Sequence, residues 1–234
     1  MRAWINGIGW VTPAGFSQGR QSDSSPLQGG ELQIPQRKQV FAQIDKRFGR
    51  LDDFSRVGLA AVAFCLRDAD AEKWEEKRPI GVVAASRYGC LQTDIDYYQT
   101  LIPEDGKLAS PNLFAYTLPN SFLGEAALRF GLTGNSMIIN RHDSTRLESI
   151  KVGLEELAWS DQSGVLAGIV DLGPPPELMH GDHLPGGLFI LLGREPGNAA
   201  PYGELEQVGE QLLFNGVEVT DLSQLITACL ATNI

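Results

Sequence analysis

The chain has 234 residues, 43% hydrophobic and 21% charged, a balance that excludes a disordered or fibrous protein. Its 19 basic against 29 acidic residues leave a formal charge of −10, which excludes the basic surface a general nucleic-acid binder needs. The longest apolar run, Val57 to Leu66, reaches half the length of a membrane span, and no charged-then-apolar leader opens the chain.

In chain order, Arg2 to Thr12 alternates Trp4, Ile5, Ile8, Trp10 and Val11 around Gly7 and Gly9 and stops at Pro13, the pattern of a strand entering a turn. Residues 17–36 are rich in Ser, Gln, Gly and Pro and are expected to form a surface loop. Asp52 or Asp53 can cap a helix beginning near Phe54, apolar around most of its circumference and therefore buried. Ile80 to Ala85 follows Pro79 as a continuous apolar run, the mark of a buried parallel strand. Helices are expected over Leu91–Leu101 and Pro119–Phe130, the second ended by Gly131 in a left-handed conformation. Met137–Ile139 reads as a short strand. Leu147–Trp159 places Leu147, Ile150, Leu154 and Leu157 on one helical face. Val165–Val170 and Leu188–Leu192 read as buried strands, separated by a surface loop that starts at Pro174-Pro175-Pro176. Strands alternating with helices predict an α/β layered fold with a mainly parallel, mixed sheet flanked by helices.

Charge is unevenly spread. Residues 37–56 hold six basic groups (Arg37, Lys38, Lys46, Arg47, Arg50 and Arg56) against three acidic ones. A solvated face is the plain reading of this stretch, and a docking patch for an acidic partner is the sharper one. Cys65, Cys90 and Cys229 form neither a CxxC pair nor a disulfide framework, and a soluble, cytoplasmic protein is expected. His180 and His183 lie three apart, but the Gly and Pro around them break any helix and no third ligand has the right spacing, so no metal is expected. Gly7-x-Gly9 lacks the third glycine of a dinucleotide fingerprint, and no phosphate loop or nucleophile elbow is present, so no cofactor is implied. His142-Asp143-Ser144 falls between a strand and a helix, where α/β proteins place ligands and where a helix N-terminus offers free amides. An Asp or Ser at that position is equally an ordinary helix cap.

The stretch Ala109 to Ser136, ASPNLFAYTLPNSFLGEAALRFGLTGNS, resembles the β-ketoacyl synthase segment that leads to the active-site helix. Asn6 to Gly15, Phe54 to Ala60, Ile80 to Val83, Gly164 to Gly168 and Gly186 to Leu192 are similar to other pieces of that family's first half, in the same order. The resemblance covers about residues 1–195, with 196–234 as a C-terminal extension of a single domain, and it implies a layered, thiolase-like half-fold. Ketosynthases carry a nucleophilic cysteine on the turn before the active-site helix. Counted from Gly134, that turn is Arg141-His142-Asp143, with Asp143 in the cysteine position. A carboxylate is too weak a nucleophile, and its mixed anhydride too labile, to hold an acyl chain taken from a thioester. Thr227-Ala228-Cys229 has no preceding strand, and His180 and His183 match neither of the histidines that ketosynthases draw from their second half.

These departures resemble the chain-length-factor type of subunit, a non-catalytic partner of a complete ketosynthase in fatty acid, polyketide or polyene synthesis. The resemblance implies a full-length β-ketoacyl synthase as partner in a heterodimer, or a homodimer, with an acyl carrier protein as a second partner. Phe114, Tyr116, Leu118 and Phe122 are the candidates to face a substrate tunnel, core packing being the other reading, and Arg37, Lys38, Lys46, Arg47 and Arg50 are the candidates for docking. The alternative is a small acyl-thioester hydrolase or decarboxylase that uses His142, Asp143 and Ser144. The sheet needs cover on both faces. Helices 54–66 and 147–159 are expected to supply one layer, and residues 201–234 or another subunit the next.

Overall fold

The computed structural model describes residues 1–22, 26–43, 45–174 and 184–232. The elements run β1 (Arg2–Thr12), β2 (Gly15–Gln18), α1 (Arg37–Val40), α2 (Asp53–Asp68), β3 (Ile80–Ser86), α3 (Leu91–Leu101), α4 (Pro111–Phe114) and α5 (Ser121–Phe130). They continue with β4 (Ser136–Asn140), α6 (Glu148–Trp159), β5 (Gly164–Asp171), β6 (Gly186–Gly193), β7 (Gly203–Val208), β8 (Gln211–Phe214), β9 (Val217–Val219) and α7 (Leu222–Ala231).

One mixed sheet carries the fold, in the order β4-β3-β5-β6-β1-β7-β8-β9, with β2 paired to β1 as a hairpin. Only β4-β3-β5 is parallel, because the intervening helices carry the chain back to the same end of the sheet each time. The expectation of a mainly parallel sheet is corrected beyond that point. β5 to β6, β6 to β1, β1 to β7, β7 to β8 and β8 to β9 all pair antiparallel. The apolar runs of β5 and β6 are buried on both faces in either direction, so their composition did not fix which way they run.

The two faces are covered separately. On one, α2 and α5 pack through Phe54, Val57, Ala61, Phe122 and Phe130. On the other, α6 contributes Ile150, Leu154 and Leu157, and α7 contributes Leu222, Leu225, Ile226 and Cys229, against Ile5, Ile8 and Trp10 of β1. The expectation that residues 54–66 and 147–159 share one layer is therefore corrected: α2 and α6 lie on opposite faces. The outward residues of α6 and α7, among them Glu155, Ser223, Gln224 and Thr227, are exposed and mostly polar. Trp159 is an exception, open to solvent at the end of α6.

Local chemistry sets the ends. Asp52 caps α2 by accepting from the Ser55 amide at 3.0 Å, and Gly131 closes α5 at φ 63°. α2 lies directly on β1, where a Cβ on Gly9 would stand 2.0 Å from the Cys65 nitrogen. The loop expected over 17–36 is shorter than the composition suggested, since β2 and a 3-10 turn at Gly19–Gln21 occupy its start. Among the described residues no helix is long and apolar enough to cross a membrane.

Candidate functional site at the end of the parallel strands

β3, β4 and β5 end side by side, at Ser86, Asn140 and Asp171. Asp171 is the polar terminus of an apolar strand, and it gathers donors from its neighbours. Its carboxylate accepts from Ser86 Oγ at 2.8 Å and from the Arg87 and Tyr88 amides at 3.0 Å. The Arg141 guanidinium, first in the loop after β4, approaches Asp171 Oδ2 at 3.5 Å, with the two side chains only 6% and 5% exposed. Arg141 also donates to the Asp143 carbonyl at 3.2 Å, and its own amide donates to the Ser86 carbonyl at 2.9 Å. A buried ion pair thus ties the three parallel strands together where an α/β fold presents its ligand site.

The loop 141–147 is held from within. Glu148 Oε1, at the first residue of α6, accepts from the amides of His142 and Asp143 at 3.0 and 3.1 Å. Asp143 Oδ1 accepts from Thr145 N at 3.0 Å, Thr145 Oγ1 at 2.8 Å and Arg146 N at 3.1 Å. Partial burial works against the Asp143 charge, but the hydrogen bonds from Thr145 and Arg146 outweigh it and hold the carboxyl below the usual carboxylate range. From outside, the Leu222 amide at the start of α7 donates to the Thr145 carbonyl at 2.9 Å.

His142, Asp143 and Ser144 are all exposed, and no hydrogen bond joins their side chains among the described residues. The three positions are adjacent in sequence and form no relay. Phe114 and Leu118 are 62% and 63% exposed, whereas Phe122 is wholly enclosed, edge-on to Phe54 at 5.8 Å and to Phe189 at 6.3 Å. Tyr116 is half-buried, and burial raises its phenol pKa. The four candidates therefore do not share one surface.

Among the basic residues, Lys38 lines a cavity of about 620 Å³ with Lys73 and Trp74. Lys46 and Arg47 line a neighbouring cavity of about 420 Å³, and Arg129 borders both. Arg47 pairs with Glu125 at 3.4 Å and Arg129 with Asp45 at 3.1 Å. Arg37 donates to the Gln43 carbonyl, and Arg50 is exposed. His180 and His183 fall outside the described residues. Among the described residues no cluster of three His, Cys, Asp or Glu could hold a metal. Cys65, Cys90 and Cys229 are all buried, and none lies in the loop 141–147.

Arg141 and Asp171 were not singled out as a pair from the sequence. The available signal was an aspartate closing an otherwise apolar strand, a position that needs buried donors.

Residues 16–181 match the family model of the β-ketoacyl synthase N-terminal domain. The chain belongs to that family. The domain is 28% identical over 145 residues to 3-oxoacyl-(acyl-carrier-protein) synthase 2 of Vibrio cholerae, an alignment covering 62% of this chain and 34% of that enzyme. The chain therefore matches about a third of its curated relative's length. Among solved structures, the ishigamide ketosynthase/chain length factor aligns at TM-score 0.68 and 15% identity, over 88% of this chain and 66% of that one. A chain from the complex of the ketosynthase ApeO with its chain length factor ApeC, from Xenorhabdus doucetiae, aligns at TM-score 0.63 and 16% identity. That alignment covers 98% of this domain and 92% of the other chain, so the two are nearly equal in length. At these identities the likeness is one of fold.

Proposed function

We propose that this chain is a non-catalytic, ketosynthase-like partner subunit of the chain-length-factor type, acting in fatty acid, polyketide or polyene synthesis. The observation that carries this reading is Asp143. It stands at the count of the family's nucleophilic cysteine, and its carboxylate is engaged by Thr145 and Arg146 in shaping the loop. Behind it the Arg141–Asp171 pair fills the strand ends. None of the three thiols lies in this loop and all are buried, and burial raises each above the ordinary thiol range, the reverse of what a nucleophile requires.

Two surfaces support a macromolecular partner. Among the described side chains of residues 91–120, only Thr93 is buried, so thirty ordered residues enclose almost nothing of their own. Tyr98, Ile102, Leu108, Phe114 and Leu118 stand open within that stretch, each more than 60% exposed. β4 is also an edge strand, with one side of its backbone unpaired in this sheet. The partner that fits is a full-length β-ketoacyl synthase, or a second copy of this chain. A chain of nearly this length in the ketosynthase–chain length factor complex adds weight to the first. In this reading residues 1–234 act as one domain, and Phe114, Tyr116 and Leu118 are the residues placed to meet a tunnel at the interface. The basic face at Lys38, Lys46, Arg47 and Arg50 suits an acidic carrier protein despite the chain's overall negative charge.

The test is co-expression with a ketosynthase encoded by a neighbouring gene, followed by size-exclusion chromatography and a condensation assay. A stable heteromer, with no condensation of malonyl and acyl thioesters by this chain alone, is expected. Condensation by the isolated chain overturns the reading. So does failure to associate with any such ketosynthase.

A further inference from the structure

At the end of the sheet opposite the loop 141–147, a cavity of about 410 Å³ opens between the starts of β3 and β5, the end of β6 and the end of α2. Its floor is apolar, formed by Ile80, Leu191 and Ala69, all buried in the fold on the α2 face of the sheet. Two arginines, Arg78 and Arg194, border it. Arg78 donates to the Ala71 carbonyl at 2.9 Å and to the Phe130 carbonyl at 3.0 Å, while its Nε is buried without an acceptor. Arg194 donates from Nε to the Gln162 carbonyl at 2.7 Å and from Nη2 to the Ser160 carbonyl.

Neither arginine forms an ion pair with a carboxylate among the described residues. Glu195 borders the same cavity but is paired with neither. In a chain of net charge −10, a half-covered and an exposed cation, neither with a counter-ion, beside an apolar floor are an unbalanced arrangement. Burial already lowers the Arg78 pKa, the response of a cation that lacks compensation. The volume falls within the range of small-molecule sites, which join an apolar lining to a few polar groups that fix orientation.

We propose that this cavity binds a small amphipathic carboxylate, its apolar tail on Ile80, Leu191 and Ala69 and its carboxylate directed to Arg78 and Arg194. Guanidinium–carboxylate recognition supplies the selectivity, and the floor supplies the affinity that a bare anion such as acetate does not gain. The site is separate from the loop 141–147 and does not depend on the partner-subunit reading.

The test is a titration of the full ¹⁵N-labelled chain, followed by amide chemical shifts, with octanoate, octan-1-ol and acetate as probes. Octanoate is expected to saturate below ~1 mM, with the largest shifts at Gly164, Gly193, Gly197 and Asn198. Octan-1-ol should bind at least roughly tenfold more weakly, and acetate should not saturate in that range. Arg194→Gln, at an exposed position, should weaken octanoate at least about tenfold, and Glu195→Gln should tighten it about twofold to threefold by removing a competing charge. Arg78 is left intact, since it is the more buried of the two and its Nε is enclosed. The proposal is overturned by equal binding of octanol and octanoate, or by no saturable shift at this cavity. It is also overturned if Glu195→Gln fails to tighten binding, a result that stands even where Arg194→Gln does not fold.

Discussion

The Arg141–Asp171 pair makes an asymmetric prediction. Asp171 accepts from Ser86 Oγ and from two backbone amides besides Arg141. Removing Arg141 leaves that carboxylate with three strong donors. Removing Asp171 orphans all three and leaves the guanidinium buried with the Asp143 carbonyl as its remaining acceptor. Breaking a buried pair by deleting one partner costs about 3–5 kcal/mol, and each further unsatisfied buried donor costs about 1–3 kcal/mol. Asp171→Ala should therefore lose about 4 kcal/mol or more, while Arg141→Met, which refills much of the volume with apolar atoms, should lose about 1–2 kcal/mol. In a chain of 234 residues, 1 kcal/mol moves the melting temperature by roughly 2–4 °C, so the aspartate variant should melt about 8–16 °C lower. Urea unfolding followed by circular dichroism measures both variants, and the double variant gives the coupling between them. Equal losses from the two single variants would refute the reasoning, because Asp171 would then act through Arg141 alone rather than as the hub of the strand ends.

Gly9→Ala forces a methyl to within 2.0 Å of the Cys65 nitrogen, and thermal melts should register a loss of about 3 kcal/mol from parting α2 and β1. Asp52→Ala removes the acceptor of both the Ser55 amide and Thr93 Oγ1, and chemical denaturation should show about 1–2 kcal/mol lost. The three cysteines should resist a thiol reagent in the native chain at pH 8. Desolvation first, then the nearby Asp94 and Asp52 charges, push Cys90 up to about 12, so its thiolate is scarce until the pH nears that value. A thiol reacting at the rate of a free cysteine at neutral pH would contradict the buried placement and reopen the search for a nucleophile.

Much of the scaffold was legible because the sequence repeats the same message at several levels. β1 matches its expected bounds, Asp52 caps α2, and Gly131 closes α5. The strands at Ile80, Met137, Val165 and Leu188 each extend by only one to three residues. The hairpins of the last forty residues were less visible, since β7 and β8 alternate weakly and β9 has three residues. Asn215-Gly216, both at positive φ, is a turn signal that could have marked the β8–β9 hairpin. Strand direction was hidden because composition reports burial, not polarity. The site was legible by position and opaque by partnership. Asp143 lies between β4 and α6, as its place between an expected strand and helix suggested, but its hydrogen bonds from Thr145 and Arg146, and the pairing of Arg141 with Asp171 across thirty residues, depend on where β4 and β5 end.

The C-terminal elements bear on the partner question. A sheet of this α/β fold needs cover on both faces. Here α7 adds Leu222, Leu225, Ile226 and Cys229 to the buried cluster that α6 and β1 form on that face. The outward side of that layer is mostly polar, so it offers no broad apolar surface for a second sheet. The apolar surface left open lies elsewhere, along residues 91–120. A partner seated by apolar contact is expected along the stretch carrying Tyr98, Ile102 and Phe114 rather than on the α6–α7 layer. Substituting Tyr98, Ile102 and Phe114 by polar residues should therefore weaken any such association while leaving the fold's stability nearly unchanged, since each is more than 60% exposed.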